Sequence, residues 1–423
     1  MGRSRPSGPP DRRRMPGPRS ADTGPSDWSA STVSARNRPY TVWSRPGASD
    51  VGGGDVSTSL LVENVEVVDH STVVVLNCGT GLVGAVAATN APNARVILAS
   101  PSLVDCTAAQ RTVDFRQLAF CAVQHRGRAE AICPPGTADV VAAVVPKGRI
   151  PTLQLIRVAY QALAPGGRFW LAGANDDGIQ SALDRVAELF GDVAVLQYRK
   201  GCRVGLATRR PRATALPPAF AEAWLRRDDY FHYSATIGGE TIEVRSRPGV
   251  FSWDRLDPGT AALIDAMQVS PGDRVLDLGC GTGLVGMVFA RRSAGPTVFV
   301  DSDADAIAAT RETATANRVE IAQVIASDGV TAIENLRFDV VATNPPFHVG
   351  QRTNDAVAKQ FIEGARRVLA RGGRFYLVAN SFLPYEAPLA EAFDLVQTVY
   401  DDRKYKVLCG RQTRGRSDRR EQS

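Results

Sequence analysis

Arg274-Val275-Leu276-Asp277-Leu278-Gly279-Cys280-Gly281-Thr282-Gly283-Leu284-Val285-Gly286 is a short apolar run that empties into a glycine-rich turn and a second apolar run. The pattern reads as a buried strand, a turn and the start of a helix. It brings bare backbone amides and the positive end of a helix dipole up to a ligand. The chain contains it twice. Val73-Val74-Val75-Leu76-Asn77-Cys78-Gly79-Thr80-Gly81-Leu82-Val83-Gly84 is the earlier copy, with Cys-Gly-Thr-Gly-Leu-Val-Gly unchanged. A second landmark also repeats: Leu163-Ala164-Pro165-Gly166-Gly167-Arg168-Phe169-Trp170-Leu171 returns as Leu369-Ala370-Arg371-Gly372-Gly373-Arg374-Phe375-Tyr376-Leu377. The two landmarks are spaced by 202 and 206 residues. A solenoid repeats every roughly 20–50 residues, so this is a duplicated domain.

With 423 residues the chain has room for two cores. Strand-like runs at 73–76, 95–98, 139–145, 168–172 and 203–208 alternate with helical spacing, and the order returns at 275–278, 297–301, 322–326, 339–343, 374–379 and 405–409. Such alternation predicts α/β architecture: two tandem Rossmann-like domains, each a mostly parallel seven-stranded sheet with helices on both faces. Ser302 to Asp305 has the spacing of a capping box for a helix running to about Asn317. Tyr230–Ile237, Gly238-Gly239 and Glu240–Val244 read as a hairpin. The expected boundaries are an Arg/Pro-rich unstructured head (1–50), a first domain (51–209), a linker (210–229), a second domain (230–411) and a basic tail (412–423). Within the head, Trp28, Tyr40 and Trp43 are the residues able to dock locally.

Charge is unevenly placed. Residues 1–46 and 403–423 each carry a net +6, and because the whole chain is also +6 the body between them is −6. Basic arms on an acidic body suit a polyanion partner, or serve only solubility. No apolar run approaches the roughly 20 residues of a membrane helix, and the Arg/Pro/Ser-rich start lacks the apolar core of a secretory signal. Seven scattered cysteines without a Cys-x-x-Cys pair read as reduced thiols of a cytoplasmic protein, with no metal site expected.

Gly281-x-Gly283-x-x-Gly286 with Asp301 twenty residues after Gly281 satisfies the dinucleotide fingerprint formally. Three features argue against hydride transfer. Asp277 sits inside the strand, where a carboxylate would repel a pyrophosphate but serve an amine. Asn344-Pro345-Pro346-Phe347 follows the fourth strand, and hydride transfer has no use for it. The order (glycine loop, acid at the tip of the next strand, Ser327-Asp328 after the third, Asn-Pro-Pro-Phe after the fourth) resembles that of class I S-adenosylmethionine-dependent methyltransferases across residues 250–411. That resemblance implies S-adenosyl-L-methionine as cofactor. Gly279, Gly281 and Gly283 would allow close backbone approach. Asp277 would serve the ammonium end, Asp301 both ribose hydroxyls and Asp328 the adenine amine.

Asn344-Pro345-Pro346-Phe347 indicates the reaction. The prolines remove two backbone donors and stiffen the chain, so the Asn344 side chain and the Pro345 carbonyl can both accept from one NH2 group. Phe347 offers a flat face to a flipped base, and His348 beside it either assists or forms a wall. The motif is similar to that of amino-group methyltransferases acting on guanine N2, adenine N6, cytosine N4 or glutamine amide. Phe at the fourth place favours a nucleobase over glutamine.

The first copy lacks these groups. Asp277 falls on Val75, Asp301 on Ala99 and Asn344 on Val144. An active domain paired with a degenerate one resembles the bacterial ribosomal RNA guanine-N2 methyltransferases of the RsmC/RlmG type, over about residues 55–411. Pro248-Gly249-Val250-Phe251-Ser252 and the following Leu256-Asp257-x-Gly259-Thr260 support it. The resemblance implies Phe251 and Thr260 as further cofactor contacts. It also implies ribosomal RNA or a ribosomal subunit as partner, with 16S favoured over 23S. An adenine-N6 methyltransferase on RNA or DNA, and a non-catalytic RNA-binding assembly factor, stay open at this point.

Overall fold

A computed structural model describes residues 28–50, 54–210, 215–222, 225, 230–346 and 352–412. The first half opens with a hairpin, β1 (Ser29–Ala35) and β2 (Arg38–Ser44), turning at Arg36-Asn37 with both residues at positive φ. Then come α1 (Val56–Asn64), β3 (Thr72–Leu76), α2 (Leu82–Asn90), β4 (Arg95–Ser100), α3 (Leu103–Arg116), β5 (Cys121–His125) and β6 (Ala138–Val144). Next are α4 (Arg149–Ala162), β7 (Leu163–Ala174), α5 (Ile179–Phe190), β8 (Ala194–Arg199) and β9 (Cys202–Thr208), and the short α6 (Pro218–Ala221) leads to the second half. The plan then repeats: β10 (Phe231–Ile237), β11 (Glu240–Ser246), α7 (Pro258–Ala266), β12 (Val275–Leu278), α8 (Leu284–Ser293), β13 (Thr297–Asp301), α9 (Ala304–Asn317) and β14 (Gln323–Ala326). It closes with β15 (Phe338–Thr343), α10 (Arg352–Val368), β16 (Leu369–Asn380), α11 (Glu386–Ala392), β17 (Leu395–Asp401) and β18 (Tyr405–Arg411).

The sheets have identical topology, β5-β4-β3-β6-β7-β9-β8 and β14-β13-β12-β15-β16-β18-β17, parallel except for β9 and β18. The chain leaves β12 on one side and returns on the other as β15. This opens a crevice at the carboxyl ends of the two strands, where open α/β sheets bind ligands. Helices cover both faces, giving two apolar layers per half.

Three expectations change. The head expected to be unstructured to residue 50 is a strand pair over 29–44. Tyr40, Val42 and Ser44 alternate inward onto the core, and Arg36 donates to the carbonyl oxygens of Val62 and Val65. Residues 1–27, and the tail beyond Gln412, lie outside the described part. Strands β5, β8 and β17 were not foreseen. They are edge or near-edge strands whose partly exposed residues leave no continuous apolar run. The cap of α9 is Asp303, not Ser302: its carboxylate accepts from the amides of Asp305 and Ala306, which releases the Asp305 carboxylate for other partners.

The two halves meet through equivalent residues. Ser102 and Asp303, the N-caps of α3 and α9, pair in an antiparallel bridge. Leu103 N–H donates to Ser302 (2.8 Å) and Ala304 N–H to Pro101 (2.9 Å), reciprocal bonds related by a local pseudo-twofold axis. Arg128 of the first half crosses to Asp303 and Asp305 at 2.6 and 2.8 Å.

Each glycine turn ends in a helix laid flat on the next strand. A Cβ added at Gly286 would lie 2.2 Å from Phe299, and one at Gly84 would lie 2.3 Å from Leu98. Substituting Gly286→Ala is therefore expected to destabilise the second half by about 1–3 kcal/mol through overpacking. Chemical denaturation followed by tryptophan fluorescence tests this; an unchanged midpoint would mean that α8 does not rest on β13.

Candidate active site

The crevice in the second half is a cavity of about 460 Å³. Its floor is the turn between β12 and α8. Gly279, Gly281 and Gly283 all take positive φ, and Gly283 caps α8 in the left-handed conformation with Thr310 too close (2.9 Å) to admit a Cβ. Asp277, Asp301, Asp328, Asn344, Pro345 and Pro346 all line it. Chain positions up to 69 residues apart thus converge because their strand ends are adjacent. Thr343 ties β15 to β12 by donating to the Leu278 carbonyl at 2.7 Å, which brings Asn344 to the glycine turn. Phe347 and His348 lie outside the described residues.

Two acids shape the turn from within. Asp277 is 2% exposed and accepts from the Gly286 amide at 2.8 Å, so one carboxylate oxygen caps α8. Asp301, partly open to the cavity, accepts from Gly281 N–H and from Asp303 N–H, both at 2.9 Å. Burial pushes Asp277 up to about 7, against the pull of the Gly286 hydrogen bond, and the charge of Asp301 adds to it. Burial, reinforced by Asp303, raises Asp301 to about 6. Neither is matched by a basic side chain among the described ion pairs. A ligand carrying positive charge and hydroxyl donors fits this pair, and a pyrophosphate does not.

Asn344 is held by a relay that sequence reading missed. Its Nδ2 donates to Thr260 Oγ1 at 2.9 Å and to Asp257 Oδ2 at 3.1 Å, and Thr260 Oγ1 donates in turn to Asp257. Asp257 is also the N-cap of α7. With both amide hydrogens occupied, the carbonyl oxygen is the atom left to accept from a substrate. Thr260, expected as a cofactor contact, lines the cavity but spends its hydroxyl on Asn344. Phe251 stands at the mouth, 61% exposed, on a loop steadied by Tyr233 donating to the Ser252 carbonyl. A further missed residue comes from the first half: Arg45 forks onto Asp328 at 2.7 and 3.0 Å.

The first half retains the turn without the pocket. Its crevice encloses only about 30 Å³, room for roughly one water. Asn77 replaces Gly279 and keeps the positive φ, which Asn tolerates. The correspondence of Asp301 shifts by one residue: strand pairing and the N-caps place Ser100, not Ala99, at its position, because the first half has one extra residue between turn and strand. The acid is lost either way, and the Ser100 hydroxyl donates to Asp105. Ser49 also donates to Asp105, and Asp50 accepts from Thr80 beside Gly79, so this loop lies on the silent turn.

Comparison with known proteins agrees with this geometry. The profile of the methyltransferase small domain matches twice, over residues 39–205 and 241–409. Ribosomal RNA small subunit methyltransferase C of Hahella chejuensis is 33% identical over 273 residues, 64% of this chain and 76% of that protein. The Pseudomonas aeruginosa protein of the same name is 32% identical over 289 residues, 68% and 83% of the two chains. The solved 16S rRNA N2 methyltransferase RsmC of T. thermophilus, in complex with AdoMet and guanosine, superposes with a TM-score of 0.77 at 29% identity, covering 91% of this chain and 98% of that one.

The raised acids predict a pH dependence. A folded-state pKa above the ordinary 3.8 makes a stability contribution that is present at low pH and lost as pH rises through about 6 to 7. A cationic cofactor needs both acids ionised. The affinity for S-adenosylmethionine is therefore expected to strengthen from pH 5.5 to 8, with proton release near pH 6.5, and Asp277→Asn should flatten the profile. Titration calorimetry in buffers of different ionisation enthalpy measures both; a pH-independent affinity would refute the assignment.

Proposed function

The chain belongs to the methyltransferase small domain family as a tandem class I S-adenosylmethionine-dependent rRNA methyltransferase, and we propose that its second half methylates the exocyclic N2 of a guanine in 16S ribosomal RNA, in the cytoplasm. Asn344 carries the residue-level reading. Its amide is fixed by Asp257 and Thr260, which leaves the carbonyl oxygen to accept in the cavity that Pro345 also lines. The Asn344 and Pro345 carbonyls together would suit one NH2 group.

When bound, S-adenosylmethionine supplies a methyl carbon activated by a sulfonium. Asp277 would hold its ammonium end, Asp301 the ribose hydroxyls and Asp328 the adenine amine. Asn344 and Pro345 would take the two hydrogens of guanine N2 and aim the nitrogen lone pair along the line of displacement. Held in line, N2 would take the methyl that the sulfonium gives up, and its extra proton would leave to solvent. Positioning supplies most of the acceleration, and no strong base is needed. The Asp257–Thr260–Asn344 relay matters because a rotated amide would present donors where acceptors are required.

Nucleoside mass spectrometry of 16S RNA from a strain lacking this protein should show loss of one N2-methylguanosine, restored by the purified enzyme; loss of N6-methyladenosine would indicate the adenine chemistry instead. Asn344→Ala should lower turnover by about 10²–10³-fold with cofactor affinity kept. Asp257→Asn should produce a smaller loss of the same kind. An active Asn344→Ala enzyme would displace the target amine from this position.

A further inference from the structure

The silent half reaches into the working pocket. Arg45, Pro46 and Gly47 follow β2 and line the same cavity as Asp277, Asp301 and Asn344. The Arg45 side chain is 7% exposed, and its guanidinium meets the Asp328 carboxylate as a fork, Nη1 to Oδ2 at 2.7 Å and Nη2 to Oδ1 at 3.0 Å. Its guanidinium carbon also lies 5.4 Å from the centre of the Trp28 ring, whose other cationic neighbour is Arg111 at 5.0 Å. Stacking and fork together hold the guanidinium plane.

The second half carries the same device. Ser44-Arg45-Pro46-Gly47 recurs as Ser246-Arg247-Pro248-Gly249, and Trp28 recurs as Tyr230, both 202 residues on. Arg247 stacks on Tyr230 at 4.2 Å, as Arg45 stacks on Trp28. Arg45 crosses the pseudo-twofold interface to Asp328, whereas Arg247 meets Asp305 of its own half, so the two ends have diverged. Strand pairing places Gly127 at the position of Asp328. Asp305 of the second half fills that place: a Cβ on Gly127 would be 2.4 Å from its carboxylate. Arg247 stands 3.6 Å from Asp305, and Arg128 binds it as well. Arg45 lines the large crevice of the second half, whereas Arg247 does not line the small crevice of the first.

We infer that Arg45, carried by the silent half, is a positioning residue for the cofactor of the other half: it orients the Asp328 carboxylate to accept the adenine amine. This rests on the reading of Asp328 given above. A forked arginine engages both carboxylate oxygens at once and so fixes the plane in which the acid presents them. It also holds the carboxylate in one rotamer. Recognition of the adenine end thereby depends on a residue 283 positions away in the chain.

The test uses the full-length chain and titration calorimetry with S-adenosylhomocysteine and with its 6-deaminated (inosine) analogue. Arg45→Met should weaken S-adenosylhomocysteine binding on the order of 10- to 100-fold, as expected for loss of a charge-assisted contact, with a much smaller effect on the analogue that lacks the amine. Arg45→Lys should recover part of the loss. In steady state the KM for S-adenosylmethionine should rise while kcat stays within about twofold. An Arg45→Met protein with a lowered melting temperature but unchanged affinity would make Arg45 a staple between the halves and overturn the inference; so would equal losses for both ligands. Should Arg45→Met fail to fold, Arg45→Lys combined with Asp328→Asn decides, since additive effects would mean that the two side chains do not act together. If Asp301→Ala also binds normally, it is the cofactor site that is misplaced, not Arg45 alone.

Discussion

Two carboxylates holding two amides of one turn are the constraint on which the working half depends. Asp277 takes Gly286 N–H and Asp301 takes Gly281 N–H, so the turn between β12 and α8 is tied at both ends to acids in the sheet. The bonds fix the glycine backbone in its positive-φ path. They also leave two partly neutralised acids facing a cavity. Burial raises the proton affinity of both, so the energetic cost of ionising them is recovered when a cation and its hydroxyl groups arrive. One pair of interactions therefore fixes the loop geometry and, on the proposed reading, serves the cofactor as well.

The silent half shows what survives without that pair. Val75 and Ser100 occupy the two acidic positions, yet Gly81 still caps α2 at positive φ and Gly84 still packs on Leu98. The turn is a packing solution before it is a binding site. Its crevice, lined by Ile132, Pro146 and Leu155, is far smaller than that of the other half. This half presents the loop after its hairpin to the partner pocket. Equivalent N-caps meeting across a pseudo-twofold axis describe an interface of the kind two identical copies would form.

The structure departs from the sequence reading where residue type is a poor guide to environment. The β1–β2 hairpin hides in an arginine- and proline-rich region because only alternate residues, Tyr40, Val42 and Ser44, turn inward. Edge strands β8 and β17 are too exposed to leave an apolar run. Counting from the glycine turn pairs Ala99 with Asp301, but a single extra residue in the first half moves the register to Ser100. Asp257 was visible only as part of a motif, since its role depends on Asn344 approaching from a strand 87 residues later.

By itself the sequence determined the duplication, the α/β class and which copy carries the acids and the Asn-Pro-Pro-Phe stretch. These are recorded in local patterns: a repeated glycine turn, repeated strand–helix alternation, and acids present in one copy and absent from the other. Local backbone preference and binary patterning act over a few residues and survive without knowledge of neighbours. Only the tertiary structure decided which oxygen of Asn344 is left to accept, that Asp277 caps a helix with one of its oxygens, and that Arg45 belongs to the pocket of the opposite half. Each depends on hydrogen bonds between segments far apart in the chain, and such bonds form only when the sheet brings its strand ends together and the two halves close on one another.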